Sequence, residues 1–202
     1  RQRQMCIRHR YGVPAAINAF AQGVRAVRPE SRVVLRWACL SDESHPQDFS
    51  DRKDIEVFYS QDFREPEGTY RDYGLCRRLP DGVLQPLGLP VWRWDTFYIE
   101  IIRSIFDGAW DSDAAGARAV NYWWGMSADV IDVICSDSLP RYTKRLIRFL
   151  KSSICGGRFQ IFEGEFETQN GDIVGEEGRS LTPEEIVKMD WLAANIVGTI
   201  PP

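Results

Sequence analysis

The chain has 202 residues, of which 44% are hydrophobic, and its formal net charge is -4; this length can bury one sizeable core or form two small lobes. The 25 Lys and Arg residues are balanced by 29 Asp and Glu residues and form no basic block, which argues against a nucleic-acid-binding protein. No apolar run approaches the roughly 20 residues that span a bilayer, so a membrane role would need an anchor outside this chain.

The cysteines lie far apart in the sequence, without a Cys-x-x-Cys pair or a nearby pair of histidines: Cys6, Cys39, Cys76, Cys135 and Cys155. This spacing predicts neither a zinc site nor a disulfide framework, and it favours free thiols in a reducing compartment. His9 and His45 stand in no catalytic motif, and the sequence contains no P-loop, Gly-x-Ser-x-Gly or His-Glu-x-x-His motif. We therefore expect no metal, no cofactor and no catalysis.

The first ten residues, RQRQMCIRHR, differ from the rest of the chain. They are basic, follow neither the helical nor the strand period, and resemble translated sequencing-adapter sequence. We therefore treat residues 1–10 as a non-native segment. Residues 11–202 are expected to be the carboxyl-terminal part of a protein whose natural amino end is longer.

The first native elements are a helix and two strands. Pro14 suits the first turn of a helix whose apolar residues recur at 3.6-residue spacing until Pro29. Residues 32–40 contain a continuous apolar run, as expected of a parallel strand buried on both faces. Residues 54–60 alternate apolar and polar side chains and predict a second strand.

Residues 70–111 predict a hairpin followed by a strand and a helix. Pro80-Asp81-Gly82 is typical of a tight turn between two short extended segments. Residues 91–94 predict a short strand that ends in tryptophans, and Asp95 or Thr96 is the expected helix cap. The helix would place Phe97, Ile101, Ile105 and Phe106 on one face and end at Gly108.

The second half predicts extended segments at 119–124 and 129–135, and then a helix. Asp137 or Ser138 is the expected cap, with Pro140 in the first turn. The expected inward residues of this helix are Leu146, Ile147, Leu150 and Ile154, and it would end at Gly156.

The carboxyl-terminal region predicts a hairpin and one more helix. Residues 159–168 alternate as a strand, and 169–172, Gln-Asn-Gly-Asp, form a hairpin turn. Thr182, Pro183 and Glu185 predict a capping box at the start of the last helix, whose apolar face continues to Ile196. Strands that alternate with helices indicate an α/β fold with an open, mostly parallel sheet between two helix layers.

Several segments, in their order along the chain, resemble one family of proteins. They are GVPAAINAFAQGVRAV, SRVVLRW, LPVWRWDTFYIEIIRSIFDGAW, AVNYWWGMSADVIDV and LTPEEIVKMDWL. The chain is similar over residues 11–198 to the basic membrane protein family of bacterial substrate-binding proteins, which includes purine-nucleoside receptors of ABC importers. The resemblance implies a type I periplasmic-binding-protein-like fold of three layers, with two lobes joined by hinge strands and an incomplete first lobe.

The same resemblance implies a function. Such a protein would bind a nucleoside- or sugar-like molecule in the cleft between its lobes by hinge closure, and its closed form would be recognised by an ABC permease. It would be an extracytoplasmic lipoprotein of the cell membrane, held by an anchor that lies outside this chain.

The candidate ligand-binding residues combine flat aromatic faces for stacking with carboxylates for hydroxyl groups. They are Trp94, Asp95, Trp92, Trp37, Asp42 and Tyr11. By resemblance, Trp92 stands where nucleoside-binding relatives have a lysine, Asp95 and Asp42 keep acidic positions of the family, and Tyr11 follows a family strand. A core or lobe-interface role is the alternative for each tryptophan.

Two other functions remain open at this stage. The cysteines favour a cytoplasmic ligand-sensing regulatory module with the same fold, because exposed binding proteins usually avoid free thiols. A degraded enzyme-like domain with no ligand is the third possibility. A signal peptide with a lipidation cysteine before Tyr11 would indicate the importer component, whereas a further soluble domain there would indicate the sensor.

Overall fold

A computed structural model describes residues 12–37, 54–60, 74–108 and 125–200. Within these ranges the chain forms an α/β structure with four α-helices, eight strands and a short 3-10 helix at Met126–Ala128. The helices are α1 (Val13–Val27), α2 (Trp94–Phe106), α3 (Arg141–Cys155) and α4 (Pro183–Val187). The strands are β1 (Val33–Val34), β2 (Val57–Ser60), β3 (Gly74–Arg78), β4 (Leu84–Trp92), β5 (Ile131–Cys135), β6 (Glu163–Glu167), β7 (Ile173–Ser180) and β8 (Ile196–Val197).

The described residues divide into two compact units. The first unit contains 12–37 together with 160–200, and the second unit contains 54–60, 74–108 and 125–159. In the first unit β1 runs parallel to β8, with Val33 opposite Ile196, and β6 forms an antiparallel hairpin with β7. Both ends of the described chain therefore contribute to one unit.

The core of the first unit lies between α1 and the carboxyl-terminal elements. One cluster of buried residues comprises Ala15, Phe162, Phe166, Leu181 and Met189. A second cluster comprises Ala21, Leu192, Ala193 and Ile196. Trp191 packs against both clusters and stacks on Phe166, with ring centroids 6.1 Å apart. The indole therefore links the two parts of the core.

Asn18 is a polar residue inside this core, fully buried on α1. Its amide nitrogen Nδ2 donates to the carbonyl of Trp191 at 2.8 Å and to Sδ of Met189 at 3.0 Å. Its oxygen Oδ1 accepts from the backbone N–H of Ala193 at 2.9 Å. A buried amide is stable only when it is hydrogen-bonded, so Asn18 fixes the path of the carboxyl-terminal chain against α1.

The second unit is built on an antiparallel sheet with the strand order β2-β3-β4-β5. The register of β3 on β4 shifts between Leu75 and Cys76. Gly74 begins β3 with a φ of +86°, and a Cβ there would lie 2.7 Å from the carbonyl oxygen of Gly88. Glycine is required at this position because the main chains of the two strands approach so closely.

Several predicted elements are confirmed. The first helix ends at Val27, before Pro29. The turn at 80–82 connects β3 to β4, and the turn at 169–172 connects β6 to β7. At α4 the hydroxyl of Thr182 accepts from the N–H of Glu185, and the Glu185 carboxylate accepts from the N–H of Thr182 in return. These predictions are confirmed because helix caps and tight turns depend on residues that are close together in the sequence.

Other predictions about the helices are wrong. Helix α2 begins after Arg93, so neither Asp95 nor Thr96 is its cap, and Phe106 at its end is largely exposed. Helix α3 begins after Pro140 without a side-chain cap. Its Leu146 and Leu150 face solvent instead of the core, and Ile105 of α2 is exposed as well.

The carboxyl-terminal helix is shorter than predicted. It ends at Val187. The apolar residues that follow lie in the core, where Ala193 forms an isolated β-bridge with Thr168 and Ile196 belongs to β8. Strand pairing and the Asn18 side chain replace the helical hydrogen bonds in this segment.

The sheet arrangement is confirmed only at the level of an α/β fold. Among the described strands β1 and β8 pair in parallel, whereas the other pairs are antiparallel. The mostly parallel sheet and the type I periplasmic-binding-protein arrangement thus remain predictions. The predicted segment 119–124 lies outside the described residues. No helix in the described part of the chain is both long and apolar enough for a membrane span.

Candidate functional site

The turn from β4 into α2 brings two of the predicted site tryptophans together. Strand β4 ends at Trp92, and α2 begins at Trp94. Between them, the N–H of Arg93 donates to the carbonyl of Val130 at 2.8 Å, and the carbonyl of Arg93 accepts from the N–H of Phe97 at 3.1 Å. The turn is therefore held by hydrogen bonds on both sides, and the two indoles leave the backbone close to each other.

The rings around this turn form a stack. The Trp92 and Trp94 rings have centroids 5.6 Å apart and lie within 20° of parallel. Tyr98, one helical turn further on, stacks on Trp94 with centroids 6.1 Å apart and an angle of 29°. We call Trp92, Trp94 and Tyr98 the aromatic surface, and these side chains are 54%, 52% and 57% exposed.

Phe97 supports the aromatic surface from the side. Its ring meets Trp94 edge-on, with centroids 5.7 Å apart, and also contacts Tyr98 at 5.8 Å. Edge-to-face contacts of this kind stabilise ring pairs beyond the burial of their area. The rings are therefore held in place while about half of each side chain of the aromatic surface stays exposed to solvent.

Charged groups border the aromatic surface. Asp95 lies exposed in the first turn of α2, where the positive end of the helix dipole favours a carboxylate. Arg93 forms an ion pair with Asp129. Since the carboxylate of Asp129 is already paired with Arg93, we take Asp95 as the carboxylate that this turn presents to a ligand.

A second ion pair lies on the strand next to the turn. In the sheet register Asp132 of β5 faces Val91, the residue before Trp92. Its carboxylate accepts from Nζ of Lys151 at 2.5 Å and from the N–H of Val133 at 2.6 Å. The hydrogen bond from Lys151 lowers the pKa of Asp132 below its usual range, and the same contact raises the pKa of Lys151. This pair joins α3 to the sheet and has a structural role.

Trp37 belongs to the first unit, in a polar setting. Its Nε1 donates to the carbonyl of Thr199 at 2.7 Å. Thr199 also lines an open groove of about 350 Å³, together with Gln169, Asn170, Asp190 and other residues. The Gln169 amide nitrogen donates to the carbonyls of Ile196 and Gly198, so this side chain already has structural partners.

The structure therefore brings some of the predicted site residues together. Trp92, Trp94 and Asp95 lie together at one turn of the second unit, and Trp37 lies in the first unit. Tyr11 and Asp42 fall outside the described residues. Sequence reasoning missed Tyr98, although its spacing of four residues from Trp94 on a helix was a sufficient signal.

The described residues contain no group of three or more His, Cys, Asp or Glu side chains that could hold a metal ion. Within the same ranges Cys135 and Cys155 are free thiols. The chemistry offered by the β4–α2 turn is thus ring stacking and hydrogen bonding.

Two curated proteins are similar to the chain over nearly all of its length. A purine-binding protein of Brucella abortus is 22% identical in an alignment 206 residues long, which covers 94% of this chain and 55% of the relative. A candidate ABC transporter glucose-binding protein of Haloferax volcanii is 22% identical over 204 residues, which cover 94% of this chain and 47% of the relative. The chain thus spans about half the length of the curated relatives it matches. No protein-family model matches it, and membership of the basic membrane protein family stays a prediction.

Proposed function

We propose that the chain is part of a solute-binding protein of an ABC importer that binds a nucleoside- or sugar-like molecule. The aromatic surface beside the exposed carboxylate of Asp95 is the observation that carries this proposal. Similarity to proteins named for purine binding and for glucose binding supports the same ligand class. Neither name is that of an enzyme.

The side chains of the β4–α2 turn have distinct roles in this proposal. The exposed parts of the Trp92 and Trp94 rings contact a purine base or the apolar face of a sugar ring. The carboxylate of Asp95 accepts hydrogen bonds from ribose or sugar hydroxyls. Such a site positions a neutral ring without fixing a particular base, since every base has a π face.

Capture of the ligand would follow the mechanism of two-lobed binding proteins. Two lobes close around the ligand by hinge motion, and the closed form is recognised by the permease of the importer. Trp37, Asp42 and Tyr11 are proposed as further contacts in that closed form. In this proposal the protein is an extracytoplasmic lipoprotein of the cell membrane.

Titration calorimetry and tryptophan fluorescence of the chain with adenosine, guanosine and glucose test this function. We expect saturable binding of at least one of them, together with a change in tryptophan emission. Trp94→Ala should weaken binding about ten- to a hundred-fold, because stacking contributes ~1–3 kcal/mol per base. Asp95→Asn should weaken it less.

Phe106→Ala is the matched control for the tryptophan variant. Phe106 is the last residue of the same helix and is largely exposed, but it belongs to none of the ring contacts of the aromatic surface. Binding should be unchanged in this variant. The absence of saturable binding for all three compounds, or equal losses for Trp94→Ala and Phe106→Ala, would contradict the proposed site.

A ligand-sensing regulatory module is the second candidate function. Cys135 and Cys155 favour it, because free thiols persist in reducing compartments. The sequence of the full-length protein, read from its initiating methionine, separates the two candidates. A lipoprotein signal sequence there supports the importer component, and a further soluble domain supports the sensor.

A further inference from the structure

Helix α3 carries an unusual distribution of charge. Its sequence, RYTKRLIRFLKSSIC, contains five basic residues and no acidic residue, although the whole chain has a net charge of -4. The helix has 15 residues, so it is roughly 22 Å long at 1.5 Å per residue. A surface of one charge sign therefore extends along one element of a chain that is otherwise slightly acidic.

The two lysines of α3 form ion pairs with aspartates of the second unit. Lys151 donates to Asp132 at 2.5 Å, and Lys144 donates to Asp137 at 3.2 Å. The thiol of Cys155 donates to the carbonyl of Met126 at 3.4 Å. These contacts define the inner side of the helix, which faces β5 and the short 3-10 helix.

The three arginines of α3 lie on the outer side. Arg141, Arg145 and Arg148 follow one another at spacings of four and three residues, so they share one stripe of the helix. They are exposed, and no acidic partner of these arginines occurs in the described part of the chain. Their charges are thus available to an external anion.

An apolar stripe runs beside the arginines with the same spacing. Tyr142, Leu146 and Phe149 are 81%, 51% and 64% exposed. An open groove of about 410 Å³ lies over Arg141, Tyr142, Arg145 and Arg148, where the two stripes meet. A binding partner of this face must therefore offer negative charge and apolar surface side by side.

We propose that the outer face of α3 binds the surface of an acidic phospholipid bilayer. The arginines contact lipid phosphates, and Tyr142, Leu146 and Phe149 enter the boundary between headgroups and acyl chains. A helix with a basic stripe beside exposed aromatic and aliphatic residues lies in the plane of such an interface. A soluble anion would leave the apolar stripe in water, and a neutral bilayer, whose phosphates are balanced by choline, would offer the arginines no net negative charge.

Co-sedimentation of the chain with vesicles tests this binding. We expect the chain to sediment with vesicles of phosphatidylcholine mixed with phosphatidylglycerol and to remain in solution with phosphatidylcholine alone. Binding should be largely lost at 1 M salt, because the screening length falls to about 3 Å. Replacement of all three arginines by Gln should weaken binding roughly a hundred-fold, since each basic residue contributes about a five-fold factor near an anionic surface.

A second set of variants separates lipid binding from simple charge attraction. Arg25, Arg28 and Arg32 are exposed in the first unit, and their joint replacement by Gln is the matched control that should retain binding. Phe149→Ser should weaken binding to acidic vesicles several-fold while the far-ultraviolet circular dichroism stays unchanged.

Four results of the sedimentation experiments would overturn the proposal. They are the absence of sedimentation with acidic vesicles, equal binding to neutral vesicles, equal losses for the two arginine triples, and full binding by Phe149→Ser. Soluble glycerol phosphate is the probe for a free anion. If it displaced the vesicles at micromolar concentration, the face would be a phosphate site and not a lipid surface.

Discussion

Removal of the Asn18 amide should destabilise the first unit strongly. The change Asn18→Ala deletes the donor to the Trp191 carbonyl and the acceptor of the Ala193 N–H, and both lie in or beside the core. Each buried polar group that loses its partner costs about 1–3 kcal/mol. For the two groups the expected loss in the free energy of unfolding is therefore about 2–6 kcal/mol, a large part of the ~5–15 kcal/mol typical of a domain.

Urea denaturation followed by far-ultraviolet circular dichroism measures this loss. Gln22→Ala is the matched control, because Gln22 is an amide on the same helix at a half-buried position, and its removal should change the free energy by less than about 0.5 kcal/mol. If Asn18→Ala and Gln22→Ala lost the same small amount, Asn18 would not bridge α1 and the carboxyl-terminal chain as described.

Two further predictions concern the first unit. The Arg179 guanidinium donates to both carboxylate oxygens of Glu185 and lowers the pKa of Glu185 to about 2 from its usual 4.5. The ionised carboxylate of Glu185 therefore stabilises the fold above pH 4.5, and this stabilisation is lost as the pH falls toward 2. The melting temperatures of the wild type and of Glu185→Gln should converge over that range, and a gap of constant size would contradict the ion pair. Gly175→Ala should lower the melting temperature more than Gly171→Ala, because both glycines have positive φ, but a Cβ at Gly175 would overlap the carbonyl oxygen of Gly164, whereas Gly171 has open space. Equal melting temperatures for the two alanine variants would refute the close approach of β6 and β7.

Short-range chemistry explains what could be predicted from the sequence. The capping box of Thr182 and Glu185, the two hairpin turns and the end of α1 before Pro29 each depend on residues within a few positions of one another. The same holds for the candidate site, since Trp92, Trp94 and Asp95 are neighbours in the chain. To predict that these side chains lie close together, it was enough to predict a strand followed by a helix.

Long-range contacts explain what could not be predicted. The apolar spacing after Val187 continues a helical pattern, but pairing of Ile196 with Val33 and the hydrogen bonds of Asn18 draw this segment into another conformation. Both contacts join residues more than 160 positions apart. For α3, the periodicity identified a helix correctly, but it could not indicate that Leu146 and Leu150 would be left uncovered.

The pairing of β1 with β8 has a consequence for the order of events during synthesis on the ribosome. The second unit is encoded between the two parts of the first, so it can begin to fold while α1 still lacks its partners. Helix α1 cannot bury Ala15 and Ala21 until residues 160–200 have left the exit tunnel, because these residues form the rest of its core. We expect a released chain that ends before residue 160 to hold a protease-resistant second unit and a protease-sensitive amino-terminal helix.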